Sequence, residues 1–177
     1  MANSADTPAD AGACARCAQR FGSCCTLTPG QEEFCFPLSP AERAAMTAAG
    51  AGGEHFAAEA NSAGFVDNLR RLFPGEDAAV RRLFPATAVH DRLAVTPAGD
   101  CRLLGVAGCT LPREARPLYC RLYPFWVRAG QLMYFEFDHC LALQESRGAR
   151  SLLRRLDVTE SHVRHLYRDL RKAWGLP

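Results

Sequence analysis

Nine cysteines are the residues of this chain whose type and spacing could do chemistry. They stand, in chain order, at Cys14, Cys17, Cys24, Cys25, Cys35, Cys101, Cys109, Cys120 and Cys140. Thiolates are the usual protein ligands of structural zinc and of iron–sulfur clusters, and a C-x-x-C turn brings two of them to one centre. The pattern therefore predicts a metal centre that Cys14 and Cys17 share.

The adjacent pair Cys24 and Cys25 suggests how the ligands divide. In extended backbone, successive side chains point to opposite sides, so the pair would serve two neighbouring centres or one multinuclear centre. Four thiolates complete a tetrahedral zinc site or a cubane [4Fe–4S] cluster, and spacing alone does not choose between these metals. The predicted metal ligands are Cys14, Cys17, Cys24, Cys25, Cys101, Cys109, Cys120 and Cys140. Cys35 is equally well explained as a small buried apolar residue.

Arginines near the later cysteines could balance the charge of such a centre. A divalent ion with four thiolates is formally dianionic, and Arg116 and Arg121 are predicted to contact the cofactor from outside its ligands, with Arg102 as a further candidate. The alternative is that they are ordinary surface residues. If Pro117 is the first helical residue, Cys120 lies in the first turn, where the helix dipole is expected to lower its pKa.

Histidines offer few further ligands. His139 precedes Cys140 and is a candidate ligand or hydrogen-bond donor to the centre. His162 and His165 are three residues apart on a predicted helix, and a solvated pair explains them better than a metal site does. No single cysteine is distinguished as a nucleophile, so no catalytic residue is predicted.

Composition restricts the classes of protein that this chain could be. Its 177 residues suit one domain, and a formal charge of +2 argues against binding nucleic acid through bulk electrostatics. No apolar run approaches the roughly 20 residues that span a bilayer, and the first residues are unlike a signal peptide. We therefore expect a cytosolic protein. In that reducing compartment many cysteines indicate metal or redox chemistry rather than disulfides.

The spacing of several motifs resembles a known family. The motifs are C-x-x-C at Cys14, the pair Cys24–Cys25, the later cysteines 101, 109 and 140, and the run Arg116-Pro117-Leu118-Tyr119-Cys120-Arg121. This combination is similar to the CxxCxxCC cysteine-cluster (YkgJ-like) proteins, which are described as zinc- or iron-chelating. A similar pattern occurs in flagellin lysine N-methylases, whose iron–sulfur cluster takes part in methyl transfer. This chain differs in having six residues between Cys17 and Cys24, and it shows no glycine-rich motif for S-adenosylmethionine.

The elements that must position these residues follow from capping and periodicity. Residues 1–13 are predicted to be a disordered tail, and residues 14–177 a single metal-binding domain that begins with a loop over 14–36. A capping box at Ser39, with Pro40 next to it, begins a helix that ends near 49. Asn61 or Ser62 can cap a helix over 62–73, and Thr159 can cap one over 159–174, whose predicted inner face carries Val163, Leu166, Leu170 and Trp174. The other predicted elements are a helix over 76–84, a hairpin within 92–104, a short helix within 112–124, a strand over 132–137 and a helix over 143–156.

The sequence thus predicts an α+β fold, mainly helical, with a small hairpin and cysteine-rich loops around a metal centre. The leading hypothesis is a metal-binding protein that holds an iron–sulfur cluster or thiolate-bound zinc. The alternative is a redox or methyl-transfer component that acts with a partner protein, and a zinc-dependent interaction module is a third class. The expected partners are a metal ion or cluster and, in the alternative, that protein; neither nucleic acid nor a membrane is expected.

Overall fold

Helices form more of the chain than strands do in a computed structural model that describes residues 12–20 and 24–177. The helices are α1 (Ala13–Arg20), α2 (Pro40–Ala48), α3 (Ala63–Leu72), α4 (Asp77–Leu83), α5 (Leu118–Leu122), α6 (Leu141–Gln144), α7 (Ala149–Arg155) and α8 (Glu160–Trp174). Short 3-10 turns lie at Glu32–Phe34, Gly53–His55 and Arg113–Ala115. Apart from Gly12 and Ala13, the predicted tail lies outside the described residues.

The strands form three small antiparallel sheets of two strands each within the described ranges. They are β1 (Phe56–Ala60), β2 (Val89–Leu93), β3 (Leu104–Gly105), β4 (Gly108–Cys109), β5 (Phe125–Arg128) and β6 (Gln131–Tyr134). The pairs are β1 with β2, β3 with β4, and β5 with β6. This mixture of helices and separate antiparallel sheets confirms the predicted α+β class.

Three helix starts confirm the predictions from capping residues. The Ser39 hydroxyl accepts the amide of Glu42, and the Glu42 carboxylate accepts the amide of Ser39 at 2.8 Å, which is a complete capping box. The Ser62 hydroxyl accepts the amide of Phe65 and begins α3. The Thr159 hydroxyl likewise begins α8, whose predicted inner residues Val163, Leu166, Leu170 and Trp174 are all buried.

Two predicted elements are wrong in form. Residues 14–20 belong to α1 rather than to a loop, because Ala13 and Cys17 give this short helix a buried face. The predicted helix over 143–156 is two helices, α6 and α7. Gly148 separates them at φ = 109°, a backbone conformation that an α-helix does not contain.

The strand predictions are confirmed in part. The Val95↔Cys101 bridge closes a turn within the predicted hairpin, and β6 overlaps the predicted strand. The β1–β2 sheet was not predicted, since FAAEA is rich in alanine and VHDRL is largely polar.

Two hydrophobic clusters support these elements. The larger one joins α3, α4, α5, α7, α8 and β5, and its largest buried side chains include Trp126, Phe65 and Phe73. The smaller one centres on Met46, with Leu103 and Leu111. Cys140 packs against the larger cluster, while Cys101 and Cys109 pack against the smaller one. None of the helices in the described ranges has both the length and the apolar character needed to cross a bilayer.

Candidate metal centre

One cavity of about 420 Å³ lies where the two hydrophobic clusters meet. All nine cysteines contribute to its wall, although they are spread over residues 14–140 of the chain. They belong to the described part of the chain, and no disulfide joins any of them there. The fold therefore gathers every thiol of the protein around one space.

Helix α1 supplies Cys14 and Cys17 from positions three residues apart, which lie on one face of a helix. The Cys17 thiol donates to the carbonyl oxygen of His139 at 3.6 Å, and this contact joins α1 to the segment before Cys140. An ion pair between Arg16 and Glu145 at 2.9 Å fastens α1 to the end of α6. The first and last predicted ligands thus share one wall of the cavity.

The pair Cys24–Cys25 is attached to the segment around Cys101. The amide of Cys101 donates to the carbonyl oxygen of Cys25 at 2.8 Å, and the amide of Leu27 donates to the carbonyl oxygen of Gly99 at 2.8 Å. Gly99 has φ = 93°, and a side chain there would collide with the carbonyl oxygen of Leu27. Only glycine allows this close approach.

The sequence predicted that the side chains of Cys24 and Cys25 lie on opposite sides of extended backbone. The structure shows a different arrangement. Both residues are in a turn, and their thiols are hydrogen-bonded to each other. That hydrogen bond, burial and repulsion from the thiolates of Cys25, Cys14 and Cys120 raise the pKa of Cys24 well above its ordinary value.

Arg116 holds the loop of Cys109 against the start of α5. Its Nε donates to the carbonyl oxygen of Leu111 at 2.9 Å, and its Nη2 donates to that of Cys109 at 3.3 Å. Of the described residues that line the cavity, Arg116 is the one with a positive charge, and it lowers the pKa of Cys14 against the stronger effect of burial. Balancing thiolate charge stays a prediction for Arg116.

Glu42 positions Cys120. One oxygen of this buried carboxylate accepts the amide of Leu118 at 2.8 Å, in the first turn of α5. The other oxygen accepts both the amide and the hydroxyl of Ser39. One carboxylate therefore satisfies the amino ends of two helices that are far apart in sequence. The capping box identified Glu42 in the sequence, but its second partner requires the folded chain.

The pKa of Cys120 differs from the prediction. Burial raises it well above the ordinary value, and repulsion from Cys25, Cys101 and Cys109 adds to that rise. Cys120 has an accessible surface, but that surface faces the cavity. The thiol therefore lies deep in the protein. The five-residue α5, in which Pro117 is the N-cap, does not offset these effects. Burial similarly raises the pKa of Cys101 to about 11.

Repulsion among the thiols defines two neighbourhoods that overlap at Cys24 and Cys25. After burial, Cys140, Cys17 and Cys25 raise the pKa of Cys14, and Cys24, Cys140 and Cys17 raise that of Tyr123. Around Cys120, by contrast, the interacting thiols are Cys25, Cys101 and Cys109. The first set is Cys14, Cys17, Cys24 and Cys140, and the second set is Cys25, Cys101, Cys109 and Cys120. The hydrogen-bonded pair Cys24–Cys25 is where the sets meet.

The other predicted residues are not among the described residues that line the cavity. Arg121 donates to the carbonyl oxygen of Glu114 at 3.4 Å and is not among the described residues that line the cavity. Arg102 is exposed and also outside that wall. The ring of His139 packs on Phe137, and its carbonyl oxygen accepts from the Cys17 thiol. His162 and His165 are exposed on α8, as the solvated alternative predicted.

The cavity also has residues that the sequence did not assign to it. Cys35 lies in the wall and raises the pKa of Cys101, so it belongs to the second neighbourhood. Tyr119 and Tyr123 both line the cavity, and Tyr119 also packs against the larger hydrophobic cluster. Tyr119 stacks on Phe36 with ring centroids 3.3 Å apart. The position of Tyr119 beside Cys120 was the available signal.

The donor set fits zinc or an iron–sulfur cluster in type and number, because nine thiols could provide two sets of four. The distances between the thiols do not match those of ligands around a metal ion. Among the residues that the structure describes, no group of three or more Cys, His, Asp or Glu lies close enough together to hold a metal ion. Loading the cavity would therefore require the thiols to move inward from its wall.

Comparison with known proteins identifies no relative. No family model matches this chain, and no curated protein or solved structure matches it at a significant level. The resemblance to the cysteine-cluster proteins consequently rests on the motifs alone.

Proposed function

We propose that this protein binds a transition metal through its thiolates, as an iron–sulfur cluster or as zinc. The observation that supports this function is the convergence of all nine cysteines on one cavity without any disulfide among them.

The electrostatic interactions among the thiols favour binding of a cation. Burial raises the pKa of Cys14, Cys101 and Cys120, and the neighbouring thiolates oppose one another's ionisation. A bound cation would reverse that repulsion, since a metal ion deprotonates the thiols that coordinate it. A bound metal would therefore supply the positive charge that ionised thiolates in this cavity require.

We further propose two adjacent four-sulfur centres. The first would use Cys14, Cys17, Cys24 and Cys140, and the second would use Cys25, Cys101, Cys109 and Cys120. The grouping is supported by the electrostatic neighbours of Cys14, Tyr123 and Cys120, among which Cys25 acts on both sets. Cys35 is left as a ninth thiol beside the second centre. Arg116, which lines the same cavity, would offset part of the negative charge.

Anaerobic purification followed by metal and acid-labile sulfide analysis tests the proposal. We expect either zinc without sulfide or iron with an equivalent amount of sulfide. Zinc without sulfide would remove electron transfer from consideration. A cluster that dithionite reduces would favour the alternative of a redox or methyl-transfer component acting with a partner. Protein that retains neither metal would contradict the proposed function.

Single substitutions test the division into two centres. Cys17→Ser and Cys120→Ser are each expected to reduce the bound metal by about half, because each removes a ligand from one set. Cys35→Ser is the matched control and should leave the metal content unchanged. Loss of all metal from either variant would indicate one multinuclear centre instead of two.

A further inference from the structure

A second groove of about 470 Å³ lies on another part of the molecule, between α8 and the turn that joins β5 to β6. Among the described residues, it has no lining residue in common with the cysteine cavity. Its polar wall contains Arg128, Arg164, Arg168 and Arg171, against one acidic residue, Glu76. The lining therefore carries a formal charge of +3 from four arginines and one glutamate.

Two of the four arginines are fixed by carboxylates. Arg171 forms a two-armed ion pair with Glu76 at 2.6 and 2.9 Å. Arg164 donates to Glu160 at 2.6 and 2.8 Å, and its Nη1 donates to the carbonyl oxygen of Gly130 at 2.9 Å. The hydrogen bond from Arg164 to Gly130 attaches α8 to the β5–β6 turn, so both walls of the groove are held in place.

The other two arginines have no acidic partner. Neither Arg128 nor Arg168 forms an ion pair with a carboxylate in the described ranges, and both are exposed. The ring of His165, 3.5 Å away, is the polar side chain near Arg168. Two unneutralised guanidinium groups thus face a groove whose other cations are already fixed.

The floor of the groove is apolar and aromatic. Phe73, Val127 and Tyr167 line it, and the guanidinium of Arg171 lies over the rings of Phe73 and Tyr167 at 5.8 and 5.9 Å. The volume is within the range of small-molecule sites, which is about 300–1,000 Å³.

We propose that this groove binds a small phosphorylated molecule, with Arg128 and Arg168 holding its phosphoryl oxygens. Guanidinium groups match the geometry of phosphate and form paired hydrogen bonds with it. Two unpaired arginines suit a ligand with at least two negative charges, such as a diphosphate. The remainder of the molecule would contact Tyr167, which is partly exposed in the groove. This site does not depend on the proposed metal function.

Calorimetric titration with inorganic pyrophosphate tests the site in the full chain. We expect saturable binding of one pyrophosphate per chain, weakened at least tenfold in the double variant Arg128→Ala/Arg168→Ala. The control Arg150→Ala/Arg154→Ala removes the same charge from exposed positions of α7 and should change the affinity less than twofold. Both variants are expected to retain the circular dichroism spectrum and metal content of the natural sequence.

Several outcomes would overturn the proposal. Absence of saturable pyrophosphate binding is one, and equal weakening by the two double variants is another, since that would indicate the diffuse field of the whole surface. A single-stranded oligonucleotide that binds more tightly than pyrophosphate would assign the groove to nucleic acid instead. If Arg128→Ala/Arg168→Ala lost the native spectrum, Arg168→Glu alone should still abolish binding, and retained binding would contradict the site.

Discussion

The two sides of this molecule are built by different means. Around Trp126 and α8, long side chains fill a continuous core and capped helices define its limits. Around the cysteine cavity, where the smaller cluster centred on Met46 meets the larger one, the chain forms short turns, isolated bridges and the five-residue α5. The first side is stabilised by buried apolar area. The second side has less of it, which suggests that bound metal supplies part of its stability.

Removing metal should produce the largest difference between these sides. Structural zinc contributes an apparent binding free energy of about 10 kcal/mol or more in small domains. We therefore expect chelation to abolish hydrogen-exchange protection around Cys25, Cys101 and Cys109 while α8 keeps most of its protection. Mass spectrometry of exchange under anaerobic conditions measures both regions at once. Equal loss of protection across the chain would contradict the contrast.

Truncating Trp126 should be the most harmful single change on the aromatic side. The side chain is 1% exposed, and its Nε1 donates to the carbonyl oxygen of Leu72 at 3.1 Å. Trp126→Ala is expected to cost about 3–5 kcal/mol of the free energy of unfolding, because it leaves a large cavity. Denaturant titration of the metal-free and metal-loaded protein should give the same loss. A loss that appeared only with metal bound would show that the two sides are not separate.

Glu42 tests the other side with a smaller effect. Glu42→Ala would leave the buried amides of Ser39 and Leu118 without their acceptor, at about 1–3 kcal/mol for each unsatisfied group. We expect reduced stability in denaturant titration and weaker metal retention, because α5 carries Cys120. Glu54→Gln changes an exposed carboxylate and serves as the control. Unchanged metal retention in Glu42→Ala would contradict the positioning role.

His90 should give the smallest effect, in the dependence of stability on pH. Asn61 donates to the carbonyl oxygen of Pro85 through its Nδ2, so its Oδ1 faces His90 Nδ1 at 2.9 Å and holds the ring in the Nδ1–H form. Burial lowers the pKa of His90 and the positive charge of Arg92 lowers it further, while Glu59 and Asp91 oppose this shift with smaller effects. The neutral ring is therefore favoured in the folded state.

The sign of this effect follows from proton linkage. The unfolded chain binds a proton at His90 with a pKa of about 6.5, before the folded protein does. The contribution to stability is thus complete above that pH and is lost as pH falls toward the lower folded pKa. His90→Gln should flatten the fall in unfolding free energy between pH 7.5 and 5.5, whereas the exposed His165→Gln should not. An unchanged slope in His90→Gln would refute the assignment.

Local chemistry determined which parts of the fold were predictable. Three helix starts could be predicted from their N-caps, Ser39, Ser62 and Thr159, because a cap and the turn after it are adjacent in sequence. The sheet of β1 and β2 was missed because its pairing joins Phe56 to Leu93 across distant segments with little strand propensity. Helix α1 was missed because cysteine provides part of its buried face.

Only part of the candidate site could likewise be predicted from the sequence. The types and spacing of the cysteines indicated a thiolate site, and the structure brings all of them to one cavity. Which thiols are neighbours depends on long-range contacts, such as the amide of Cys101 on the carbonyl oxygen of Cys25. The pKa of Cys120 was predicted in the wrong direction, because burial and repulsion from distant thiolates are not visible in a local helix start.

X-ray absorption at the metal edge of anaerobically prepared protein tests the central claim most directly. Thiolate ligation predicts about four sulfur neighbours per metal at roughly 2.3 Å, with no substantial nitrogen or oxygen contribution for zinc. A coordination shell made of nitrogen and oxygen, or protein that binds no zinc or iron at all, would contradict it.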